Sequence, residues 1–534
     1  MRDEVGDQLP VGWVWSTLGE VAADRRAITD GPFGSNLKTA HYTERGPRVV
    51  RLENLGDGHF VDKKTHISRQ HFEKLRKHEV LPGDLVIASL GSPLPRACQT
   101  PIELGPAIVK ADCIRFRGDE SIVSPGYVCA WLNSPALRDR AKHLIHGMGR
   151  PRLSLAIMRD LPVPVAPRAE QDRIVAKLDE LFSRIEKGEE NLRRVQALVK
   201  RYRQSVLKAA VTGELTRGWR EQHSGQGETG ADLLQRILTA RRAAWEAAEL
   251  EKIRAKGKVP GNDKWKTKYK EPLNPSIKDL PELPEGWIWA SLDQLCWDSS
   301  YGTSNKCSFE GAGEPVLRIP NVREGRLDQS GIKKALKLLG LQSHEYVKSG
   351  DLLVIRTNGS PAILGLGTVV AENPKVETYF ASYLIRFRLV ALAKIREWIG
   401  LYWHSKFVRD LIRQESGTSA GQHNISQSVL LGFPIALPPA TEAEVALDLF
   451  EHLSAPVSEM EATALDLERS CTMLRQSVLR VALEGRLVSQ DMSDESALAL
   501  LSRVAEVRKE HHVSKPRLGR RRSSDRKDDR EALP

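Results

Sequence analysis

The chain has 534 residues, 40% apolar, 28% charged and 6% aromatic, with 80 Lys and Arg against 69 Asp and Glu for a net charge of +11. That length asks for several packed units. No run approaches the ~20 apolar residues of a membrane span, the opening Met1-Arg2-Asp3-Glu4-Val5 lacks the apolar stretch of a secretory signal, and the basic excess permits a polyanionic partner without requiring one. Six scattered cysteines (Cys98, Cys113, Cys129, Cys296, Cys307, Cys471) form no Cys-x-x-Cys pair. They argue against a zinc ribbon or a disulfide framework and fit a reducing cytoplasm.

In chain order, the first predicted strand carries alternating Trp13 and Trp15 within Leu9-Pro10-Val11-Gly12-Trp13-Val14-Trp15. Short β-rich runs follow at Val49 to Leu52 and, after the turn Gly83-Asp84, at Leu85 to Ala88. Residues 126–146 have helical spacing, and Leu161-Pro162-Val163-Pro164-Val165-Ala166-Pro167 reads as a stiff linker. A long helix comes next, with apolar positions alternating by 4 and 3: Ile174, Leu178, Leu181, Ile185, Gly188, Leu192, Val195, Val199, Tyr202 and Val206.

Most of this is then written a second time. Leu283-Pro284-Glu285-Gly286-Trp287-Ile288-Trp289 restates the opening block at an offset of 274. Val49-Val50-Arg51-Leu52 returns as Val316-Leu317-Arg318-Ile319 at offset 267, Gly83-Asp84-Leu85 as Gly350-Asp351-Leu352, and Gly91-Ser92-Pro93 as Gly359-Ser360-Pro361. Trp131 matches Trp403, and residues 391–415 repeat the helical spacing. Phe433-Pro434-Ile435-Ala436-Leu437-Pro438-Pro439 is the second stiff linker. The second seam is Ala446, Phe450, Leu453, Val457, Met460, Ala464, Leu467, Cys471, Leu474 and Val478. Arg203-Gln204-Ser205-Val206-Leu207 returns as Arg475-Gln476-Ser477-Val478-Leu479 at offset 272. Each seam needs a partner, and pairing of the two helices is the economical solution; a helix of this length spans roughly 50 Å.

The expected fold class is α+β: two mixed α/β domains separated by two long antiparallel coiled-coil helices, with a pseudo-twofold internal repeat. The boundaries read from the sequence are a first domain over 1–167, a spacer helix over 168–216, and a linker over 217–282 that holds a charged helix and has no second copy. A second domain over 283–439 and a second spacer helix over 440–488 follow, then a C-terminal extension over 489–534 ending in a basic, disordered tail.

Signatures of chemistry are missing from the sequence. It has no G-x-x-x-x-G-K-[ST], no H-E-x-x-H, no G-x-S-x-G and no Asn-Pro-Pro-aromatic or Asp-Pro-Pro-aromatic tetrapeptide. With a duplicated architecture this points to binding. Two related heads on a helical spacer could grip duplex DNA, whose equivalent groove faces recur about every 34 Å. The halves differ outside the shared blocks, so the two half-sites would differ too. The competing expectation is a non-catalytic scaffold that holds protein partners on its coiled coil without nucleic acid.

The full set of blocks resembles the specificity subunit of Type I restriction–modification systems over about residues 9–490. The marks are Leu-Pro-x-Gly-Trp-x-Trp opening each half, Gly-Asp-Leu before a strand, the Pro-rich run into a heptad helix, Glu170-Gln171 followed by Ile174, and Arg-Gln-Ser-Val-Leu closing the helix. Gly213-Glu214-Leu215-Thr216 and Trp219-Arg220-Glu221 add to them. The resemblance implies two target recognition domains that read an asymmetric split site in double-stranded DNA. It implies helices that set the unread spacer and dock two methyltransferase (modification) subunits, with restriction (endonuclease/translocase) subunits joining. S-adenosylmethionine, ATP and Mg2+ would belong to those partners, and the assembled complex would be an adenine-specific DNA methyltransferase and ATP-dependent endonuclease.

Loop Arg, Lys, Asn and His residues are the natural contacts to phosphates and base edges. The candidates are Lys38, Arg51, Arg96, Arg150 and Arg152 in the first domain. In the second they are Lys306, Arg318, Arg356, Asn358, His423 and Asn424. Arg51 and Arg318 occupy equal positions and suit either a shared phosphate contact or a structural ion pair. Asp84 and Asp351 suit a turn better than a metal, and the four block tryptophans suit a core better than base stacking.

Overall fold

The structure is a computed structural model that describes residues 9–145, 151–275, 280–323, 325–390, 392, 394–419 and 421–513. It divides into two compact units. Unit one is built from residues up to Leu192 and again from Asp466 onward; unit two is Arg193–Leu465. Each unit therefore takes half of each long helix.

The units repeat one architecture. In unit one a central antiparallel sheet runs Ile28–Asp30, Cys113–Phe116, Leu85–Ala88, Arg96–Gln99, and a second sheet runs His66–Ile67, Tyr42–Val50, Ala107–Val109, Glu79–Val80. Unit two answers with Cys296–Tyr301, Leu384–Leu389, Asp351–Ile355, Gly367–Val369, and with Cys307–Ser308, Lys333–Ala335, Pro315–Leu317, Tyr379–Phe380. The central strands Leu85–Ala88 and Asp351–Ile355 are buried at every position, which suits the apolar runs Leu85–Ala88 and Leu352–Ile355.

The Pro-rich runs correct the sequence reading: they are strands. Pro162–Val165 pairs antiparallel with Val14–Thr17, and Pro434–Leu437 pairs with Ile288–Ser291. In the first run the prolines fall on alternate residues, so the amides of Val163 and Val165 stay available to the ladder. The tryptophans of the opening blocks face the core beside them. Trp13 and Trp287 are both buried, and each meets an aromatic ring edge-on, Tyr127 at 6.0 Å and Trp398 at 5.5 Å. Tyr127 Oη donates to Pro164 O at 2.8 Å, and Trp398 Nε1 donates to Ala436 O at 2.8 Å. The two helix caps Ser134 and Ser405, which accept from Leu137 N and Val408 N, keep the same register. In space Trp131 therefore corresponds to Tyr402, one residue away from the Trp403 that the sequence match selects.

The long helices are Arg168–Val211 and Ala440–Leu483, a few residues shorter than expected at their C-terminal ends. In unit one, Ile174 and Leu178 share a core with Leu479, Ala482 and Leu483; in unit two, Val211 shares a core with Ala443 and Ala446. Arg475 ion-pairs with Glu189 at 3.4 Å in unit one, and Arg203 with Glu461 at 3.1 Å in unit two. The start of each helix thus meets the end of the other, as antiparallel partners do.

The seam is buried only in part. Ile174, Leu178, Ile185, Val199, Val206, Ala446, Val457 and Ala464 are buried, and Leu181, Leu192, Phe450, Leu453, Cys471 and Val478 are half-buried. Val195, Tyr202, Met460, Leu467 and Leu474 are about half exposed, at 46%, 47%, 54%, 50% and 51%. With Gly188 these lie seven residues apart on both helices, so one of the two heptad positions faces away from the partner through the middle of each helix. A 4,3 spacing shows where apolar residues lie, not how many of them a partner covers.

The segment after each long helix closes a unit. Gly213 and Gly485 end the helices at φ +70° and +67°, a conformation that glycine adopts freely, and a Cβ there would meet Pro284 Cγ at 2.7 Å and Pro10 Cγ at 2.4 Å. Helix Gly230–Ala255 then packs Leu233, Leu234 and Ile237 into the core of unit two, and helix Ala497–Val513 packs Ala497 and Val504 into that of unit one. Gly230 N donates to Gly286 O at 2.7 Å, and Ala497 N to Gly12 O at 2.9 Å. This corrects two readings. The 217–282 segment does have a counterpart for its helix, and the 489–534 extension begins with a packed helix. The tail from Lys515 lies outside the described residues.

Candidate nucleic-acid interface

Two arginines, on or at the end of one strand, brace each head. Ile114-Arg115-Phe116-Arg117 and Ile385-Arg386-Phe387-Arg388 are the same tetrapeptide at offset 271, a signal the sequence reading passed over. Arg115 and Arg386 reach the carbonyls of Glu79 at 2.8 Å and Glu345 at 2.7 Å. Arg117 grips Asp84 with two bonds of 2.7 Å, and Arg388 grips Asp351 at 2.7 and 2.9 Å. The bonds it donates to Asp84 hold the Arg117 guanidinium above its ordinary pKa; burial pulls Arg388 down, and the bond to Asp351 together with the charges of Asp351 and Asp298 more than offsets it. The Gly-Asp turns are thus anchors for arginines. Among the described residues no group of three or more His, Cys, Asp or Glu could hold a metal ion, and no helix is long and apolar enough to cross a membrane.

Glycine shapes the neighbouring loop. At Gly31 a Cβ would come within 2.4 Å of Val109 O, and at Gly302 within 2.2 Å of Phe380 O. The loop therefore lies directly on the second sheet in both units. Beside it, Arg51 and Arg318 each open a one-turn helix, donating their amides to Asn54 Oδ1 and Asn321 Oδ1 at 2.9 Å. Asn54 in turn donates to Val61 O and Lys63 O, and Asn321 to Asp328 O and Ser330 O. Arg51 pairs with Glu53 at 2.9 Å, while Arg318 donates to Gly331 O at 3.3 Å. The Arg51 side chain is thus paired within its own turn, whereas Arg318 reaches only a carbonyl thirteen residues on.

In unit one the remaining candidates scatter around the end of the central sheet. Arg152, bridged to Leu90, stands 3.4 Å from Asp112 and 5.6 Å from the Phe33 ring centroid. Asp112, Arg51, Glu53 and Lys110 line a shallow cavity of about 210 Å³. Arg96 begins the strand Arg96–Gln99, opposite Ala88, and Lys38 is exposed. Arg150 lies outside the described residues.

In unit two four candidates converge. A small sheet of Thr357–Asn358, Gln422–Asn424 and Gly417–Ser419 pairs Asn358 with His423 and Thr357 with Asn424. Arg356 directly precedes it and lies over Tyr301, its guanidinium carbon 4.8 Å from the ring centroid. Lys306 is exposed on a separate loop, its carbonyl accepting from Leu336 N at 3.1 Å. Sequence reading had no handle on Tyr301, because its role depends on a residue 55 positions away. The arrangement is a rigid head with one guanidinium, one imidazole and two amides at the end of its sheet. It can donate and accept hydrogen bonds in a groove.

Comparison with known proteins finds similar chains. No family model matches the chain. It is 24% identical over 516 residues to the Type I restriction enzyme EcoKI specificity subunit of Escherichia coli (strain K12), covering 93% of this chain and 96% of that protein. It is also 24% identical over 517 residues to the StySPI specificity subunit of Salmonella potsdam, with the same coverage of both chains. A chain from a structure addressing complex assembly and conformational transition of the type I R-M system superposes with a TM-score of 0.57 at 17% identity, covering 90% of this chain and 100% of that one. The fold is shared with that chain, and the curated homologues are Type I restriction enzyme specificity subunits, the family the motifs resemble.

Proposed function

We propose that this chain is the sequence-reading subunit of a Type I restriction–modification complex. Each unit reads one half of an asymmetric bipartite site in double-stranded DNA, and the long helices fix the unread spacer and dock two modification subunits, with restriction subunits joining the assembly. The chain performs no chemistry itself. Adenine methylation with S-adenosylmethionine, and ATP- and Mg2+-dependent cleavage, are the work of its partners in the cytoplasm. The observation that carries this is the near full-length match to specificity subunits. Two like scaffolds whose sheet ends carry unlike side chains support it, since unlike half-sites need unlike readers on one frame.

The half-exposed Val195, Tyr202, Met460, Leu467 and Leu474 support docking of protein on the helices. They are also what favours the second reading, a scaffold without nucleic acid. One experiment separates the two. The chain, reconstituted with its methyltransferase partner, is offered random duplexes and the retained fraction is sequenced. A bipartite motif, with affinity that falls steeply with salt, is expected; retention without a motif, or none at all, rejects DNA reading.

A further inference from the structure

The strand Asp351–Ile355 of unit two runs straight into Arg356, whose environment is built for one task. We infer that Arg356 is a specificity-determining residue of unit two, reading a guanine edge in the major groove while Tyr301 holds its guanidinium flat. This rests on the DNA-reading function proposed above and names the base class that this head takes.

The backbone of Arg356 is clamped on both sides: its amide donates to Tyr383 O at 2.9 Å, and its carbonyl accepts from Ile425 N at 2.9 Å. Its guanidinium lies over the Tyr301 ring at 4.8 Å. That ring is itself fixed, because Tyr301 Oη accepts from Gln427 N at 3.1 Å, and the Gln427 side chain donates to Ser299 Oγ at 2.5 Å on the same strand. Among the described residues no carboxylate pairs with Arg356, and its buried Nε meets no acceptor. Arg386 also leaves its Nε without an acceptor, but it and Arg388 end on carboxylates, Asp298 and Asp351. Arg356 is thus a positioned, planar fork whose charge the fold leaves uncompensated.

A phosphate contact needs charge but not a fixed plane, and a lysine would serve it. A guanine edge offers O6 and N7 side by side, which a planar fork matches with two parallel bonds, and holding the plane beforehand removes part of the ordering cost. The neighbouring Asn358 and His423 share the small sheet and extend the polar surface beyond a single base. Unit one has nothing like it at these positions. The residue after Ala88, where unit two has Arg356 after Ile355, is Ser89, and the residue opposite Ile114, where unit two has Tyr301 opposite Ile385, is Asp30. The same corner of the same scaffold therefore discriminates differently in the two halves.

The test uses the whole chain in complex with its methyltransferase subunits, selected on random duplexes and sequenced. Arg356→Ala should lose about ten- to a hundredfold of guanine discrimination at one position of one half-site, leaving the other half-site and the salt slope unchanged. Arg356→Lys keeps the stem over Tyr301 and the charge, so it guards against a folding defect; it should keep non-specific affinity and lose the same discrimination. Tyr301→Ala should weaken the preference at that same position. An unaltered motif in either Arg356 variant overturns the inference. So does a uniform loss across all sequences with a salt slope reduced by about one, which marks a phosphate contact. A wild-type complex that retains no bipartite motif overturns the parent function and this inference together, a result separable from the first two.

Discussion

The two units share a scaffold and differ in how completely their charges are neutralised inside it. In unit two, Asp351 is fully buried against an Arg388 that is 8% exposed; in unit one the matching Arg117 is 38% exposed over Asp84. The same grading recurs where each closing helix docks. Arg241, almost fully buried, donates to Asp293 O and Cys296 O and to Tyr269 Oη, while the more open Arg508 donates to Glu20 O, Ala22 O and Asp119. At the start of the long helices the order is sharper still. Buried Glu442 is met by Thr216 and the charged Arg220, whereas equally buried Glu170 is met by neutral groups, Trp13 Nε1 at 3.1 Å and the Gln490 side chain. The lesson is that a repeated position keeps its geometry while its electrostatic cost drifts.

Substitutions at matched positions put numbers on that difference. The largest effect is expected from Asp351→Ala, which strands a buried guanidinium and should cost about 3–5 kcal/mol in denaturant unfolding of unit two. Asp84→Ala should cost roughly 1–3 kcal/mol, because water reaches Arg117. Equal losses would show that the exposure difference has no energetic meaning. Next come Arg241→Ala, at about 2–3 kcal/mol, and Arg508→Ala, at about 1–2 kcal/mol, the latter also making the C-terminal helix more open to proteolysis. A reversed order would contradict the burial argument.

The smallest effects differ in sign. Glu442→Gln should cost about 1–2 kcal/mol through loss of its charged partner. Burial pushes the Glu170 carboxyl above its ordinary value despite the Trp13 bond. Between the ordinary and the raised value, the folded chain therefore holds a proton that the unfolded chain has released. Its contribution is full below the ordinary carboxylate pKa and is lost as pH rises through the raised folded value. Glu170→Gln should flatten that fall and leave stability within about 0.5 kcal/mol of the parent or above it at neutral pH. A pH profile identical to the parent would refute this reading.

The repeat, the two heads and the long helices were legible because contiguous blocks such as Leu-Pro-x-Gly-Trp survive duplication. The matching closing helices were not, although Leu233, Leu234, Arg236 and Arg241 reappear as Leu500, Leu501, Arg503 and Arg508 at offset 267. Three of them make only a short Leu-Leu-x-Arg, with the fourth five residues on, too little to stand out as a block. The Pro-rich runs misled because proline is rare in strands, yet a two-stranded edge tolerates it. For the candidate site, sequence identified residue types on loops. It could not see that Arg51 pairs with Glu53 inside its own turn, or that a tyrosine far along the chain lies under Arg356. Such pairings are set by the sheet register, which a single sequence does not display.

The free cysteines carry a last consequence. Cys98, Cys113 and Cys129 are buried in unit one and Cys296 in unit two, with their thiols pushed up by burial, Cys129 to about 12. Only thiolates react readily with alkylating reagents, so these four sulfurs stay silent until the surrounding core opens. Each half of the molecule thus contains its own clock: mass spectrometry of timed alkylation would date the opening of one head by three sulfurs and of the other by a single one, without any added label.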